Sequence, residues 1–153
     1  MNANSLSNKL NHVYHLLIVN NIDILGITET WLTADVADSY VSLGNYEIVR
    51  CDNPGNVRKH GVAVYVRNNM KYITVLCYLI NVVIICLCVL FIYVITAYRS
   101  PSYSDDENTL LINFLKEFCH GDSPWRFQSA FLKIMICFLI ICYRLKRGSV
   151  NYL

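Results

Sequence analysis

The chain is organised around the stretch Ile22-Asp23-Ile24-Leu25-Gly26-Ile27-Thr28-Glu29-Thr30-Trp31-Leu32. Its apolar run, residues 24–27, has the length and composition of a strand buried on both faces. One carboxylate, Glu29, follows this run and stands between two threonines. Ligands of open α/β sheets bind just past the carboxyl ends of the strands, where a carboxylate can hold a hard divalent cation. Glu29 is therefore a candidate metal ligand, and the alternative is a solvated loop glutamate.

The composition is unusually apolar for a chain of single-domain length. Of the 153 residues, hydrophobic types make up 55% and charged types 16%, whereas charged residues usually make up about a quarter of a globular protein. The net charge of +2 is too small to indicate nucleic-acid binding by itself. The length predicts one domain.

The cysteines and histidines do not form a metal-binding or disulfide pattern. The cysteine count is odd, no CxxC pair occurs, and no cleavable signal sequence opens the chain, so we expect reduced thiols. His12 and His15 are one helical turn apart, but no third ligand lies nearby, and surface histidines are the favoured interpretation. The seven cysteines are Cys51, Cys77, Cys86, Cys88, Cys119, Cys137 and Cys142. Five of the seven lie in or beside apolar runs, where this residue behaves as a small hydrophobe.

The segments on either side of the central stretch predict a helix and two further strands. Apolar residues at positions 6, 10, 13 and 17 predict an amphipathic helix over residues 5–19. Strands are predicted at residues 46–50 and 61–67, and the second places its valines on one face and Tyr65 and Arg67 on the other. A turn signal separates them at residues 52–56. The basic residues around this hairpin are solvated loop charges or phosphate contacts: Arg50, Arg58, Lys59, Arg67 and Lys71.

The long apolar segment at residues 72–97 has two interpretations. None of its residues is Asp, Glu, Lys or Arg, so it meets the criterion for a transmembrane helix. Its β-branched residues and the interruption at Asn81 fit two or three buried strands equally well. The sequence leaves both possibilities open.

The last third of the chain predicts a helix and an apolar tail. Pro101 ends the long apolar segment, and acidic residues 105–107 then mark the start of a second helix, as the helix dipole prefers. Residues 130–143 are apolar apart from Lys133, and a basic run follows at residues 144–147. This tail resembles the second leg of a membrane hairpin or a segment that belongs to no domain.

Four blocks of sequence carry a resemblance to a known family. Residues 2–9 are similar to an opening NARSLxNK stretch, and residues 23–32 match a DILxITETWL block. Residues 61–67 match GGVAxYVR, with His60 at a position where a glycine is common. Residues 98–101 are similar to YRPP. Through these blocks, residues 2 to about 119 resemble the endonuclease domain of non-LTR (long interspersed element type) retrotransposons. That domain is a branch of the endonuclease/exonuclease/phosphatase superfamily.

The resemblance implies a metal-dependent phosphodiesterase that nicks DNA, with Mg²⁺ as the cofactor. In the family, the glutamate matching Glu29 binds the metal, and the asparagine matching Asn2 orients groups around the scissile phosphate. The tyrosine matching Tyr98 helps to stabilise the developing charge on the phosphate. These residue types suit the chemistry, because Mg²⁺ needs anionic oxygen ligands and the transition state needs hydrogen-bond donors.

Several parts of the family pattern do not occur in this sequence. The strand before Asn2 is absent, and Gly121-Asp122 lacks the preceding strand and the following Phe-Asn of the family's GDFN block, so no catalytic role is assigned to Asp122. No histidine follows His120, so the closing block with the general-base histidine is missing. A nucleophilic water needs a base, and a single carboxylate is a weak Mg²⁺ site. We therefore expect a truncated, catalytically incomplete member of the family.

The predicted fold is α/β: a partial endonuclease/exonuclease/phosphatase-type sandwich, with a mixed sheet and flanking helices, over residues 1–119. A non-homologous apolar and basic tail follows over residues 120–153. DNA is the partner that the resemblance implies, with weak or absent binding in this chain, and a nuclear or cytoplasmic location follows. The alternative is a small membrane protein with one or two transmembrane helices, at residues 72–97 and 127–143, and with its acidic loop on the non-cytoplasmic side.

Overall fold

The computed structural model describes residues 1–53, 58–79, 82–89 and 92–98, and short pieces at 104–106, 109, 112–113, 142–143, 145–146 and 149–150. A short 3-10 turn at Ser7–Lys9 precedes the first helix. The helices are α1 (Leu10–Val19) and α2 (Asp38–Val41). The strands are β1 (Ile24–Thr28), β2 (Tyr46–Cys51), β3 (Val62–Arg67), β4 (Tyr72–Leu79), β5 (Val82–Val89), β6 (Ile92–Tyr98), β7 (Cys142–Tyr143), β8 (Leu145–Lys146) and β9 (Ser149–Val150).

The first sheet has the strand order β2-β3-β1-β7, and all its ladders are antiparallel. β1, β2 and β3 confirm the three strands predicted from the apolar runs. The first residues of the chain add a parallel contact, in which Asn2 pairs with Thr28. The Thr28 N–H donates to the Met1 carbonyl oxygen and the Ala3 N–H to the Thr28 carbonyl oxygen, both at 2.8 Å. The sheet that the sequence predicted to be mixed is therefore antiparallel in all its ladders, with one isolated parallel bridge beside β1.

The first helix starts later than the sequence predicted. Residues 5–19 were expected to be helical, whereas the 3-10 turn begins at Ser7 and α1 at Leu10. The reason is that the preceding residues bond to the loop after β1: the Ser5 N–H donates to the Glu29 carbonyl oxygen at 3.0 Å. Asn4 and Ser5 have φ values of 47° and 83°, which break the helical path. The backbone of these residues therefore forms hydrogen bonds with the loop after β1, in place of the bonds that would extend α1 toward the N-terminus.

One face of the first sheet carries the helices. Val13 and Leu17 of α1 pack with Leu25, Ile27 and Tyr65 of the sheet in one buried cluster. Alternation along β3 confirms the predicted split of its side chains, because its valines lie in a second cluster on the opposite face. Both faces of β1 and β3 are thus covered, which explains why these strands are apolar on both sides.

The apolar segment at residues 72–97 forms a second sheet with the strand order β4-β5-β6. Ile85, Leu87 and Val89 of β5 pack against the valines of β3 and against Ile24 of β1. The sequence left open a transmembrane helix at residues 72–97 as the alternative interpretation, and the described residues of this segment form strands instead. Among the described side chains of this segment, Ile85, Leu87, Val89 and Val94 lie in the buried cluster between the two stacked sheets, which explains why these positions are apolar.

The second predicted span and the tail are described only in part. Across the residues that the structure describes, no helix has the length and apolarity needed to cross a membrane. Most of residues 127–143, Asp122 and His120 lie outside the described residues. In the tail, β7 pairs with Ile24 and Leu25 of β1. The boundary between residues 119 and 120 stays a prediction.

Three smaller expectations can be compared with the described residues. Positions 105, 106, 109, 112 and 113 are helical, which agrees with the second helix predicted to begin at the acidic residues. Cys51 forms no disulfide with another described residue, and the side chains of the other six cysteines lie outside the described set, so the expectation of reduced thiols stays a prediction. His12 and His15 are exposed on α1, as expected for surface histidines.

A pH dependence of stability follows from Tyr72, at the start of β4. Burial, a hydrogen bond to the Glu47 carboxylate of β2 and the charge of Glu47 raise the pKa of the Tyr72 phenol from 10.0 to about 12. Because the folded-state pKa is the higher one, this contribution to stability is complete below about pH 10 and is lost as the pH rises toward about 12. We expect the urea midpoint to fall over that interval, and to fall less steeply in Tyr72→Phe.

The matched control for this measurement is Tyr40→Phe, which removes a hydroxyl from an exposed tyrosine. Its urea midpoint should follow the wild-type pH profile. Identical alkaline profiles for Tyr72→Phe and Tyr40→Phe would mean that the link between β4 and β2 contributes nothing.

Candidate functional site

The loop after β1 has a strained backbone held from two sides. Glu29 and Trp31 have φ values of 58° and 55°, in the left-handed region that non-glycine residues seldom adopt. On one side, the Leu6 N–H donates to the Thr30 carbonyl oxygen at 2.9 Å. On the other side, the Trp31 N–H donates to the His60 carbonyl oxygen at 3.0 Å. Strain of this kind persists only where the surroundings enforce it, and it clusters at functional sites.

The Glu29 carboxylate is oriented by its neighbour in the same loop. The Trp31 indole Nε1–H donates to Glu29 Oε2 at 2.6 Å, and both residues are half-buried. This charge-assisted bond fixes one carboxylate oxygen, and Oε1 is the atom that can coordinate a cation. The predicted metal ligand is thus a positioned carboxylate and not a loop glutamate with random orientation.

Asn2 lies beside this loop, at the same end of β1. Its backbone pairs with Thr28, the residue before Glu29. Its side-chain Oδ1 accepts the Asn4 N–H at 3.1 Å, and the side chain is exposed. The carboxamide nitrogen is the donor that Asn2 can offer to an anionic ligand at this end of the sheet.

Tyr98 reaches the same end of the sandwich from the second sheet. It is the last residue of β6, and its ring lies 5.0 Å from the His60 ring, centroid to centroid, with a 31° angle between the planes. The His60 carbonyl oxygen in turn accepts the Trp31 N–H. The contacts therefore bring Asn2, Glu29 and Tyr98 to one rim, with His60 between Tyr98 and the loop. The catalytic and metal-binding roles of these three residues stay predictions.

His60 is the site residue to which sequence reasoning gave no role. Its φ of 60° explains why a glycine is common at this position of the resembling family. In the described part of the chain, its Nδ1 is buried without a hydrogen-bond partner. The one sequence feature that could have drawn attention to His60 is that it replaces the glycine common in the resembling family, shortly before β3. The stacking of His60 on Tyr98 joins residues 38 positions apart, and no local pattern reports such a contact.

Two of the basic residues around the hairpin are engaged in structural ion pairs. Arg67 Nε lies 2.8 Å from Asp23 Oδ1, and the guanidinium also sits 5.3 Å from the centre of the Tyr46 ring. Arg50 pairs with Asp52 at 2.9 Å, and with Asp38 at 3.2 Å. Burial raises the pKa of the Asp52 carboxyl, and the Arg50 charge opposes this effect. Arg58, Lys59 and Lys71 are exposed, so they are better placed for phosphate contacts.

The fit of the site to a metal ion depends on Glu29. The described residues contain no group of three or more His, Cys, Asp or Glu side chains that could hold a metal ion. Proteins often bind Mg²⁺ through one or two carboxylates together with waters and substrate phosphates. Glu29 Oε1 can supply one such ligand, and the described residues do not form a complete Mg²⁺ site without further ligands.

A comparison with known protein families gives one match that covers most of the chain. The model of the Endonuclease/Exonuclease/phosphatase family matches residues 1–132. This range includes Asn2, Glu29, His60 and Tyr98, and strands β1 to β6. No curated protein matches the chain significantly.

Proposed function

The chain belongs to the endonuclease/exonuclease/phosphatase family, and on this basis we propose that it is a nucleic-acid phosphodiesterase domain that is catalytically incomplete. We further infer that it derives from the endonuclease of a non-LTR retrotransposon, because its four ordered sequence blocks resemble that branch. The family match supports the coarser statement that the chain is a nuclease- or phosphatase-type hydrolase.

The observation that supports this proposal is the Trp31-oriented carboxylate of Glu29 at the end of β1. In the proposed site, Glu29 would hold a divalent cation through Oε1, and Asn2 and Tyr98 would donate hydrogen bonds to oxygens of the scissile phosphate. When bound, Mg²⁺ would polarise the phosphate and lower the pKa of a water molecule. The donors would stabilise the negative charge that develops on the phosphate oxygens.

The proposal that these 153 residues are catalytically incomplete is supported by the residues present after the second sheet. Gly121-Asp122 is followed by Ser123-Pro124, and no histidine occurs after His120. A water molecule attacks a phosphodiester efficiently only when a base lies within hydrogen-bond reach. Because catalytic residues act as a unit, the remaining ones keep little of the joint effect. We therefore expect phosphate binding to persist better than cleavage.

The first test is the nicking of supercoiled plasmid in Mg²⁺. We expect the 153-residue chain to produce relaxed circles at the same background rate as Glu29→Ala, since loss of a catalytic unit lowers rates by about 10⁴-fold or more. The matched control is Asp106→Ala, which removes an exposed carboxylate outside the site. Rapid nicking that Glu29→Ala abolishes, and that Asp106→Ala retains, would contradict the proposed incompleteness.

The second test concerns metal binding and does not depend on activity. Millimolar Mg²⁺ or Mn²⁺ should raise the melting temperature of the wild-type chain and of Asp106→Ala, because a ligand that binds the folded state stabilises it. The shift should vanish in Glu29→Ala. An equal shift in all three proteins would exclude Glu29 as the metal ligand.

A further inference from the structure

A cleft of about 810 Å³ opens beside the loop that carries Glu29. Its volume falls within the range of about 300–1,000 Å³ that is common for small-molecule sites. Its wall combines aromatic, hydroxyl, amide and charged side chains, including Ser5, Ser7, Asn8, Trp31, Asp35, Tyr40 and Arg58. We call it the Trp31 cleft.

We propose that the Trp31 cleft binds one unpaired base of a nucleic-acid strand together with an adjoining phosphate. The inference rests on the proposed function in one respect, namely that a neighbouring phosphate of the same strand lies at Glu29. The cleft would then act as a subsite that selects strands with an accessible base.

The first observation behind this proposal is the pair of aromatic residues. The Trp31 indole is held by its hydrogen bond to Glu29, so its position in the wall is set by the site itself. Tyr40 on α2 also lines the cleft, and it is 65% exposed. Exposed aromatic faces are the stacking platforms of single-strand-binding proteins, because every base has a π-face.

The second observation is the distribution of polar groups around these rings. Ser5, Ser7 and Asn8 offer hydroxyl and amide groups that can donate and accept, which is what the edge of a base requires. Arg58 is an exposed cation in the same wall, and its planar guanidinium suits a phosphate. Asp35 would repel a phosphate, so the phosphate is expected on the Arg58 side.

These features favour an unpaired base over a base within a duplex. In a duplex, each base face is covered by its neighbours, and a protein must pay the unstacking energy before it can insert a ring or bury the base. An unpaired base presents its face directly to Trp31 and Tyr40. The expected ligand is therefore a single-stranded or locally opened segment.

The test uses Trp31 as a reporter. The chain has two tryptophans, so Trp125→Phe leaves Trp31 as the only indole. This protein is titrated in EDTA with an oligothymidylate of about ten nucleotides, and separately with a blunt duplex of similar length. We expect the single strand to quench Trp31 fluorescence, with little quenching by the duplex.

Variants of Tyr40 then test the stacking. In the Trp125→Phe background, Tyr40→Ala should weaken oligothymidylate binding about tenfold, and Tyr40→Phe should keep the affinity because it keeps the ring. Tyr14→Ala is the matched control, since Tyr14 is a partly exposed tyrosine of α1 that does not line the cleft. Arg58→Ala should weaken binding and reduce the slope of log K against log salt by about one.

Equal quenching by duplex and single strand, or equal affinities of Tyr40→Ala and Tyr14→Ala, would overturn the proposal. The titration contains no metal and no cleavage step, so its result is independent of the role of Glu29. Absence of the Mg²⁺-dependent melting shift in the wild-type chain would refute the proposed metal site without bearing on the cleft. Failure of oligothymidylate to bind, with that shift intact, would refute the cleft alone.

Discussion

Replacing Tyr65 by alanine is expected to lower the free energy of unfolding by about 3–5 kcal/mol. The Tyr65 side chain is completely buried between the first sheet and the helices, and it lies opposite Leu25 and Ile48 in the two neighbouring strands. Its phenol donates to the Val41 carbonyl oxygen at 2.6 Å, and burial raises the phenol pKa well above its usual value. The alanine variant would lose both the packing and this bond.

Urea unfolding monitored by circular dichroism measures the effect of the Tyr65 substitution. Tyr65→Phe separates the two losses, because it keeps the ring and leaves only the Val41 carbonyl without its donor, for about 1–3 kcal/mol. The matched control is Tyr40→Ala, at an exposed position, for which we expect a change within about 0.5 kcal/mol. A cost for Tyr65→Ala no larger than that of Tyr40→Ala would mean that the helices do not pack on the sheet as described.

A side chain at position 26 is expected to disturb the contact between the two sheets. A Cβ atom there would lie 2.5 Å from Thr96 Oγ1 and 3.2 Å from Thr96 Cγ2, and Thr96 on β6 is only 4% exposed. Gly26→Ala should therefore destabilise the protein by about 1–3 kcal/mol, the usual cost of overpacking a core. Gly26→Val, with a larger side chain, should cost more.

A double-mutant cycle isolates this contact. Thr96→Ala removes the two closest atoms that a Cβ at position 26 would meet and leaves only the Thr96 Cβ at 3.4 Å, an ordinary contact distance. Gly26→Ala should therefore cost less in the Thr96→Ala background, with a coupling of about 0.5–3 kcal/mol. Additive effects of the two substitutions would show that β6 does not cross β1 at this point. The cycle therefore also tests the strand interpretation of residues 72–97, because a transmembrane helix would carry Thr96 away from Gly26.

The first sheet could be predicted from the sequence in some detail. The strands around Leu25, Ile48 and Tyr65 follow from short apolar runs bounded by turn residues, and the period-two pattern correctly divided the side chains of β3 between two faces. The start of α1 could not be predicted, because the residues before it bond to the loop at Glu29, which lies more than twenty positions away. A helical pattern of apolar residues does not report such a competing use of the backbone.

The candidate site was predicted only in part. Glu29 could be placed at the end of a strand from its own neighbourhood, since strand ends are local features. Asn2 and Tyr98 were identified through the family resemblance, and their positions at the same rim required the pairing of Asn2 with Thr28 and the stacking of Tyr98 on His60. The orientation of the Glu29 carboxylate by Trp31 required atomic geometry, because the spacing of two residues in a loop does not specify a side-chain hydrogen bond.

The local sequence pattern was sufficient to predict three features: the central strand, the hairpin of β2 and β3, and the carboxylate that follows β1. Each of these depends on the periodicity and turn residues of one continuous segment. Tertiary structure alone decided the state of residues 72–97, since hydropathy measures the preference for leaving water and does not say whether lipid or another sheet provides the apolar surroundings. For the described residues, the close approach of Thr96 to Gly26 shows that the apolar surroundings come from packing between the two sheets. For the same reason the Trp31 cleft became visible only in the fold, because its wall brings residues 5–8, 31–40 and 58 together from three separate segments.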